Sequence, residues 1–247
     1  MYNPYSLEGK TILVTGASSG IGRAVAIECS KLGAKVVITG RNQERLNDTF
    51  NWLEGNGHIA INADLAIYSD IEKLVEACPL LDGFVNNAGI TKVLFVKNIK
   101  KKIIDDIFNT NIIAPILLTQ LLVKNNILKD KSSIVFTSSL SGVYCVHYGE
   151  SLYAASKGAI SGFAKGAALD LSRKYIRVNS VNPGIIKTNF FNNLLTAEEL
   201  DEKRKYFPLK RFGEPIDVAF AIIYFLSDAS SWVTGSDLKI DGGYTLI

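Results

Sequence analysis

Residues 11–34 read TILVTGASSGIGRAVAIECSKLGA, which is an apolar run, a turn with three glycines and then a helical segment. Gly16, Gly20 and Gly22 lie where a strand must give way to a helix. Glycines there let the backbone turn tightly, let a pyrophosphate approach main-chain N–H groups and let the helix pack on the strand, while the helix N-terminus favours negative charge. The stretch predicts a dinucleotide-binding turn. The alternative is an ordinary strand-to-helix loop whose glycines serve turn geometry alone.

The alternation of strand and helix continues along the whole chain. Strands are predicted at the apolar runs 11–16, 35–40, 58–65, 81–89, 132–139, 176–184 and 237–243. Crossover helices are predicted at 20–32, 41–54, 69–77, 100–125, 153–174 and 214–227. Because the strand runs are continuously apolar, we expect them to be buried on both faces. The pattern predicts a single α/β domain over residues 1–247, a Rossmann-type doubly wound parallel sheet of about seven strands with helices on both faces.

The bulk composition is that of an ordinary globular chain. Of its 247 residues 47% are hydrophobic and 21% charged, and the net charge of +3 implies neither nucleic acid nor an anionic membrane as a partner. No stretch of about 18 residues is both apolar and free of charge, and the N-terminal MYNPYSLEGK lacks the apolar core of a signal peptide. We therefore expect a cytoplasmic protein. The scattered cysteines and histidines argue against disulfides and against a metal site.

The end of the second predicted strand reads VVITGRNQERL (36–46). A carboxylate at this point would bind the ribose hydroxyls of NAD and repel the 2′-phosphate of NADP. Gly40 leaves room for that phosphate instead, Arg41 offers a planar fork of donors, and Asn42 and Arg45 lie close by. The sequence therefore favours NADP(H) over NAD(H). The alternative for Arg41 is a solvated loop arginine.

Tyr153 and Lys157 lie four residues apart in SLYAASKGAI (151–160), inside a predicted helix. At that spacing both side chains occupy one helix face, with Cβ atoms about 5–6 Å apart. Hydride transfer between a nicotinamide and a carbonyl leaves an oxygen that needs a proton, and a tyrosine with a pKa near ~10 supplies it more readily when a cation stabilises the phenolate. We expect Tyr153 to be this acid and Lys157 to lower its pKa. The alternative is an ordinary solvated helix face.

Further motifs follow in order along the chain, namely TGASSGIG (15–22), Asp64-Leu65, NNAG (86–89), Asn111, Ser139, PGIIKT (183–188), PLKRFGEPIDVA (208–219) and DGGYT (241–245). With these motifs the chain resembles the classical short-chain dehydrogenases/reductases over nearly its whole length. RFGEP and the C-terminal residues are most similar to the 3-oxoacyl-acyl-carrier-protein reductases. The resemblance implies an oxidoreductase that acts on the CH–OH group of a small carbonyl or alcohol substrate, with acyl thioesters among the candidates. It also implies a homotetramer.

The resemblance assigns roles to individual positions. Catalysis is implied for four residues, namely Asn111, Ser139, Tyr153 and Lys157, with the Ser139 hydroxyl donating to the substrate oxygen. Ser138 and Ser141 are nearby alternatives, but the spacing of Ser139 and Gly142 fits the family pattern best. Together with the residues argued above, the expected cofactor contacts are Gly16, Ser18, Ser19, Gly20, Ile21, Gly22, Arg41, Asn42, Asp64, Leu65, Asn87, Ala88, Gly89, Tyr153, Lys157, Pro183, Gly184, Ile186 and Thr188. Asp64 is alternatively a helix or turn cap, Thr188 an N-cap, and NNAG a packing element of the sheet.

Pro115 follows Asn111 by four residues, so within a helix it has no N–H to donate to the Asn111 carbonyl. We expect that carbonyl to accept from a water in a proton relay that connects Lys157 with solvent. The alternative is a proline that only kinks the helix.

Two segments are expected at the substrate end. The loop 141–152 carries His147 and Tyr148, which we predict to contact the substrate beside Ser139 and Tyr153; an exposed loop histidine is the alternative for His147. This loop places Tyr153 one position farther from Ser139 than in the commonest family members. The segment 189–212 has apolar residues on one side and charged residues on the other, which predicts a lid over the pocket.

The full catalytic set favours an NADP(H)-dependent oxidoreductase, either a 3-oxoacyl-thioester reductase or a reductase or dehydrogenase of a sugar, polyol or other small alcohol. A non-catalytic NADP(H)-binding sensor is the alternative of another class. Such a sensor would not need a proton donor.

Overall fold

A computed structural model of the protein describes residues 2–188, 202 and 204–247. Its strands are β1 (Thr11–Thr15), β2 (Lys35–Gly40), β3 (Ile59–Asn62), β4 (Leu81–Asn86), β5 (Leu128–Thr137), β6 (Arg177–Pro183) and β7 (Asp237–Ile240). Its helices are α1 (Gly20–Lys31), α2 (Gln43–Asn51), α3 (Tyr68–Ala77), α4 (Lys101–Phe108), α5 (Ala114–Lys124), α6 (Ser151–Asp170) and α7 (Pro215–Leu226). Each predicted strand and helix is therefore present, with shifts at the boundaries.

The strands pair in parallel in the order β3-β2-β1-β4-β5-β6-β7. The chain runs outward from β1 to β3 and then returns to the other side of β1 with β4. Such a reversal of direction opens a crevice at the carboxyl ends of the two neighbouring strands. The predicted doubly wound parallel sheet is confirmed, and its reversal point lies beside the glycine-rich turn that follows β1.

Successive residues of β1 face two different cores, because side chains alternate across a strand. Leu13 packs in a cluster with residues of α3, α5 and α6 on one face of the sheet. Ile12 and Val14 pack in a second cluster with residues of α1 and α7 on the other face. The sheet is thereby covered on both sides, which fixes the positions of its carboxyl ends.

The expectation that all strands are buried on both faces is wrong at the two edges of the sheet. Ile59 in β3 and Leu238 in β7 are each 36% exposed, because an edge strand has a neighbour on one side only. β5 begins at Leu128 rather than at 132. Charged residues hid this start in the sequence, and the β4–β5 register is irregular there, with Lys131 in the left-handed region at φ 65°.

Lys101–Lys124 forms one continuous helical stretch that is long and apolar enough, by length and composition, to cross a membrane. Leu118 and Leu122 are nevertheless fully buried in the core under the sheet. A core helix passes the same test of length and composition, so the stretch is weak evidence for a membrane span.

A π-helical turn, Asn109–Ile113, joins α4 to α5. The N–H of Ala114 bonds the carbonyl of Asn109, five residues back, directly before Pro115. Turns of this width are uncommon and often mark functional positions in helices. The widened turn lies at Asn111, and both interpretations of Pro115 stay predictions.

Candidate active site

The glycine-rich turn brings the start of α1 to the carboxyl end of β1. Gly16 and Gly20 have φ values of 64° and 54°, a region that residues with a Cβ rarely adopt. Ser19 occupies the N-cap position without a capping hydrogen bond from its side chain, and the first turn of α1 contains no acidic residue. The positive end of the helix is thus available to an anion, so the turn fits a dinucleotide pyrophosphate.

Gly22 allows the close packing of this turn and does not itself form part of the cleft surface. A Cβ at position 22 would lie 2.3 Å from the carbonyl oxygen of Gly16 and 2.6 Å from Nδ2 of Asn87. Only glycine lets α1 approach β1 and the β4 loop this closely. Gly22 does not line the cleft, so its predicted role in cofactor binding is indirect.

A cleft of about 1310 Å³ runs along the carboxyl ends of the strands. Almost all predicted site residues line it, namely Gly16, Ser18, Ser19, Gly20, Ile21, Arg41, Asn42, Asp64, Leu65, Asn87, Ala88, Gly89, Ser139, His147, Tyr148, Tyr153, Lys157, Pro183, Gly184, Ile186 and Thr188. Gly22 and Asn111 are the two that lie behind its wall. Residues far apart in sequence thus meet where a doubly wound sheet binds its ligands.

Arg41 stands at one end of the cleft, after β2. Its side chain is 62% exposed, and Nη1 lies 3.9 Å from Oδ2 of Asp64. Asn42 caps α2 by accepting a hydrogen bond from the Arg45 N–H at 2.8 Å. Asp64 also accepts from the Ala66 N–H at 3.0 Å, so the turn-capping interpretation is correct beside its place in the cleft. Among the described residues, the only carboxylate paired with Arg41 is the partly exposed Asp64, at this long distance.

The loop after β4 is held by β1. Oγ1 of Thr15 accepts from the N–H groups of Asn87 and Ala88, both at 3.0 Å. Nδ2 of Asn87 donates to the Thr15 carbonyl at 3.2 Å. NNAG is therefore both a packing element and a wall of the cleft. Thr15 opens the motif TGASSGIG, but sequence analysis assigned it no role of its own, because a threonine at a strand end is common.

Asn111 fixes the next residue of the same loop with its side chain. Its Oδ1 accepts from the Ile90 N–H at 2.8 Å, and its Nδ2 donates to the Ile90 carbonyl at 2.8 Å. Nδ2 also donates to Oγ of Ser156 at 3.0 Å, and Ser156 donates to the Tyr153 carbonyl at 2.7 Å. Asn111 thus connects the β4 loop to the helix that carries Tyr153. The relay through its main-chain carbonyl remains a prediction.

Lys157 and Tyr153 project from the first half of α6 towards the middle of the cleft. Nζ of Lys157 donates to the carbonyl of Thr137, the last residue of β5, at 2.8 Å and lies 5.8 Å from the centroid of the Tyr153 ring. The Ser139 hydroxyl lies close enough to the Tyr153 hydroxyl to lower its pKa in part. The Ser141 N–H donates to Oγ of Ser139 at 3.1 Å. The structure therefore brings together the three side chains that the resemblance made catalytic at this point.

The pKa of Tyr153 differs from the sequence-based expectation. Burial raises it to about 12; the hydrogen bond with Ser139 lowers it in part, and the charge of Glu150 raises it further. Burial also lowers the pKa of Lys157 to about 8. The pKa of Tyr153 lies above its ordinary value because desolvation of the phenolate outweighs the hydrogen bond with Ser139. The lowering of this pKa by Lys157 stays a prediction.

The opposite wall begins at Pro183, the last residue of β6, and continues with Gly184, Ile186 and Thr188. The Gly184 N–H donates to the Ile240 carbonyl of β7 at 3.0 Å. A Cβ at Gly20 would lie 3.2 Å from Cγ2 of Thr188, so this wall closes directly over the start of α1. The N-cap alternative for Thr188 concerns residues outside the described part of the chain.

The substrate end is formed by the loop that precedes α6. His147 is exposed, with its ring 5.7 Å from the ring of Tyr244, and Tyr148 is 93% exposed at the rim. Of the predicted lid, residues 189–201 and 203 lie outside the described residues. Tyr206 and Phe207 do line the cleft. Ser141 and Glu150 line it as well, and of these two sequence analysis missed Glu150.

Comparisons with known proteins agree with this geometry. A family model described as enoyl-(acyl carrier protein) reductase matches residues 16–245. A 3-oxoacyl-[acyl-carrier-protein] reductase of Rickettsia prowazekii is 35% identical over 98% of this chain and 99% of its own length. A tropinone reductase homologue of Arabidopsis thaliana is 36% identical over 98% of this chain and 94% of its own.

A solved structure is similar to this chain over nearly its whole length. A short-chain type dehydrogenase/reductase from Mycobacterium marinum superposes with a TM-score of 0.87 at 31% identity, over 99% of this chain and 98% of that one. The chain belongs to the short-chain dehydrogenase/reductase family. It is an oxidoreductase that uses a nicotinamide cofactor and a small-molecule substrate.

Proposed function

We propose that this protein reduces the carbonyl of a 3-oxoacyl thioester with NADPH. The observation that carries the proposal is the meeting of Ser139, Tyr153 and Lys157 at the middle of a dinucleotide cleft, in a chain 35% identical to a 3-oxoacyl-[acyl-carrier-protein] reductase. A non-catalytic sensor would not require this set. We therefore place the protein among enzymes rather than binding modules.

The side chains divide the reaction between them. When bound, the nicotinamide supplies the hydride that the carbonyl carbon accepts. The Ser139 and Tyr153 hydroxyls orient the carbonyl oxygen, and Tyr153 gives it the proton that completes the alcohol. Lys157 is held by Thr137 and places its charge beside the Tyr153 ring, where it stabilises the phenolate left by proton transfer.

The substrate experiment follows NADPH absorbance with three kinds of carbonyl compound. Reduction of a 3-oxobutanoyl thioester supports the proposal. Faster reduction of a small ketone supports the second candidate, which the similarity to the tropinone reductase homologue favours. Turnover of a 2-enoyl thioester alone would overturn both and agree with the description of the matching family model.

The preference for NADPH rests on Arg41. Its exposed guanidinium lines the cleft after β2, beside Gly40 and Arg45, where the 2′-phosphate would lie. Loss of a charge-assisted contact to phosphate costs about tenfold or more in affinity. We expect Arg41→Ala to weaken NADPH binding by that factor and to leave NADH binding nearly unchanged. Arg173→Ala, on an exposed turn after α6, is the matched control. Equal affinity of the parent protein for both cofactors would overturn the preference.

We also propose a cytoplasmic homotetramer. Phe220, Trp232 and Leu246 are 55%, 99% and 78% exposed around α7 and β7, and Leu169 near the end of α6 is 77% exposed. Apolar surface of this kind is usually covered in an assembly. Light scattering after size exclusion tests the stoichiometry, and a monomeric mass at micromolar concentration would overturn it.

A further inference from the structure

Ser156 lies on α6 directly before Lys157 and three residues after Tyr153, and its side chain is fully buried. Its hydroxyl donates to the Tyr153 carbonyl at 2.7 Å, which uses the single proton that a serine hydroxyl has. Its oxygen accepts a hydrogen bond from Nδ2 of Asn111 at 3.0 Å. The hydroxyl therefore forms one bond within α6 and one bond across to the π-helical turn Asn109–Ile113.

The side-chain amide of Asn111 uses all of its polar hydrogens. Asn111 is 2% exposed, and its Oδ1 accepts from the Ile90 N–H at 2.8 Å, which fixes the orientation of the amide. Nδ2 carries two protons. It donates to the Ile90 carbonyl at 2.8 Å and to Ser156. Without the Ser156 oxygen, one N–H of this amide would be buried without a partner unless the amide or α6 moved.

Ser156 and Lys157 attach α6 to two different neighbours. Nζ of Lys157 donates to the Thr137 carbonyl, and Oγ of Ser138 donates to the Lys157 carbonyl, both at 2.8 Å. Successive side chains of an α-helix point about 100° apart. Within residues 2–188, 202 and 204–247, the bond from Asn111 is the only side-chain hydrogen bond between α6 and the π-helical turn. The two attachments, one to β5 and one to this turn, together fix the rotation of α6 about its axis.

The attachment at Ser156 lies close to the reacting groups. A Cβ at Gly89 would lie 3.4 Å from Oδ1 of Asn111 and equally far from Nζ of Lys157. Gly89, Ile90 and Tyr153 all line the cleft. The bond between Asn111 and Ser156 thus connects the β4 loop to the helix that carries the acid. A misplacement of about 1 Å between reacting groups can reduce a rate by about 10²-fold.

We propose that Ser156 is a positioning residue for carbonyl reduction. Its hydroxyl holds α6 against Asn111 and so keeps the Tyr153 hydroxyl and the Lys157 amine in place beside the β4 loop. Ser156 itself does not line the cleft, so it acts through these residues and touches neither substrate nor cofactor. This inference rests on the proposed carbonyl reductase activity.

The test compares Ser156→Ala with a matched serine elsewhere. We expect Ser156→Ala to lower kcat for a 3-oxobutanoyl thioester by about tenfold or more, with little change in KM or in NADPH affinity measured by fluorescence titration. Ser30→Ala is the control, because Ser30 is a buried helical serine that donates to the Ile27 carbonyl at 2.7 Å and accepts from the Glu54 N–H at 2.9 Å. Both variants should lower the urea midpoint similarly, whereas Ser30→Ala should keep the parent kcat.

Ser156→Thr and Ser156→Val separate the hydroxyl from the volume of the side chain. A helical threonine can still donate to the carbonyl three residues back, and valine has nearly the same shape without the hydroxyl. An added methyl that strains the packing does so in both variants. We therefore expect the ratio of kcat between Ser156→Thr and Ser156→Val to match the ratio between the parent and Ser156→Ala.

The outcomes distinguish this inference from the function on which it rests. If the parent protein reduces neither the thioester nor a small ketone with NADPH, the proposed reductase function is wrong, and the role of Ser156 is wrong with it. If the parent is active but Ser156→Ala loses no more kcat than Ser30→Ala, only the role of Ser156 is wrong. Equal kcat in Ser156→Thr and Ser156→Val, or a parallel fall of NADPH affinity in Ser156→Ala, would also overturn that role.

Discussion

The two ends of the cleft are built from different parts of the polypeptide. The cofactor end depends on main-chain groups, on glycines at β1 and α1, and on strand ends, with Thr15 binding the N–H groups of Asn87 and Ala88. The substrate end depends on the side chains of one loop, where Ser141 lies between Ser139 and Glu150. A site built from main-chain groups and glycines tolerates few substitutions, so its ligand stays the same. A side-chain site on a loop changes specificity with single substitutions.

Tyr153→Phe is expected to have the largest effect, because it should affect catalysis at the substrate end far more than cofactor binding at the other end. This change removes the proton donor and keeps the ring beside Lys157. We expect kcat to fall by about 10²–10⁴-fold, which is the usual contribution of a positioned acid. Cofactor affinity, measured by fluorescence titration, should change far less. A variant that turns over as fast as the parent would show that the proton comes from another group.

The cofactor end is tested through Gly22→Ala. The added methyl would lie 2.3 Å from a backbone oxygen that cannot move aside alone, so α1 must shift away from the turn. Overpacking of this kind costs about 1–3 kcal/mol in unfolding free energy, and we expect NADPH affinity to fall by about tenfold or more. Gly162→Ala is the control, because nothing lies within 4 Å of its Cβ. Unchanged cofactor affinity in Gly22→Ala would contradict the account of the turn.

The smallest expected effect is on the free energy of unfolding, and it is tested by replacing Lys157. Burial lowers its pKa from 10.5 to about 8, so the unfolded chain binds more protons than the folded one between these values. Stability from this group therefore rises as pH increases from 8 to 10.5, and below 8 the fold bears the cost of a buried charge. We expect Lys157→Met to lose activity and yet to be about 1–2 kcal/mol more stable at pH 7.

Urea unfolding at two pH values checks this prediction. The advantage of Lys157→Met should be large at pH ~7 and shrink by pH ~9.5, since the folded lysine is then neutral. A variant that is less stable than the parent by equal amounts at both pH values would show that the hydrogen bond to Thr137 outweighs the buried charge. Stabilisation at pH 7 would instead show that the active centre is maintained against stability.

Sequence reasoning located the cofactor end better than the substrate end for a physical reason. Gly16 and Gly20 are dictated by backbone dihedral angles, and such requirements are visible in a one-dimensional pattern. The hydrogen bonds of the Asn111 side chain with Ile90 and Ser156 depend on three separate segments, and no local pattern encodes them. Glu150 was missed because a glutamate in a polar loop looks solvated until the loop folds.

The pKa shifts of Tyr153 and Lys157 were not predicted, for a related reason. A spacing of four residues correctly placed Tyr153 and Lys157 on one helix face, as the distance of 5.8 Å from Nζ to the ring centroid shows. It contained no information on how deeply the helix would be buried. Desolvation depends on the whole fold, and it dominates the pKa of both groups.

The wide turn Asn109–Ile113 gives the helix one residue more than a regular winding would use. Each residue of an α-helix advances the chain by about 100° around the axis, so removing one residue there would rotate everything after it by that angle. Leu118 and Leu122 would then leave the core, or Asn111 would leave Ile90. The extra residue lets the same helix direct Asn111 to Ile90 and the two leucines to the core, which a regular α-helix of this sequence could not do at once. Natural chains with one residue fewer in this turn should therefore carry a second change. Either the buried apolar positions that correspond to Leu118 and Leu122 or the position of Asn111 should have shifted along the helix.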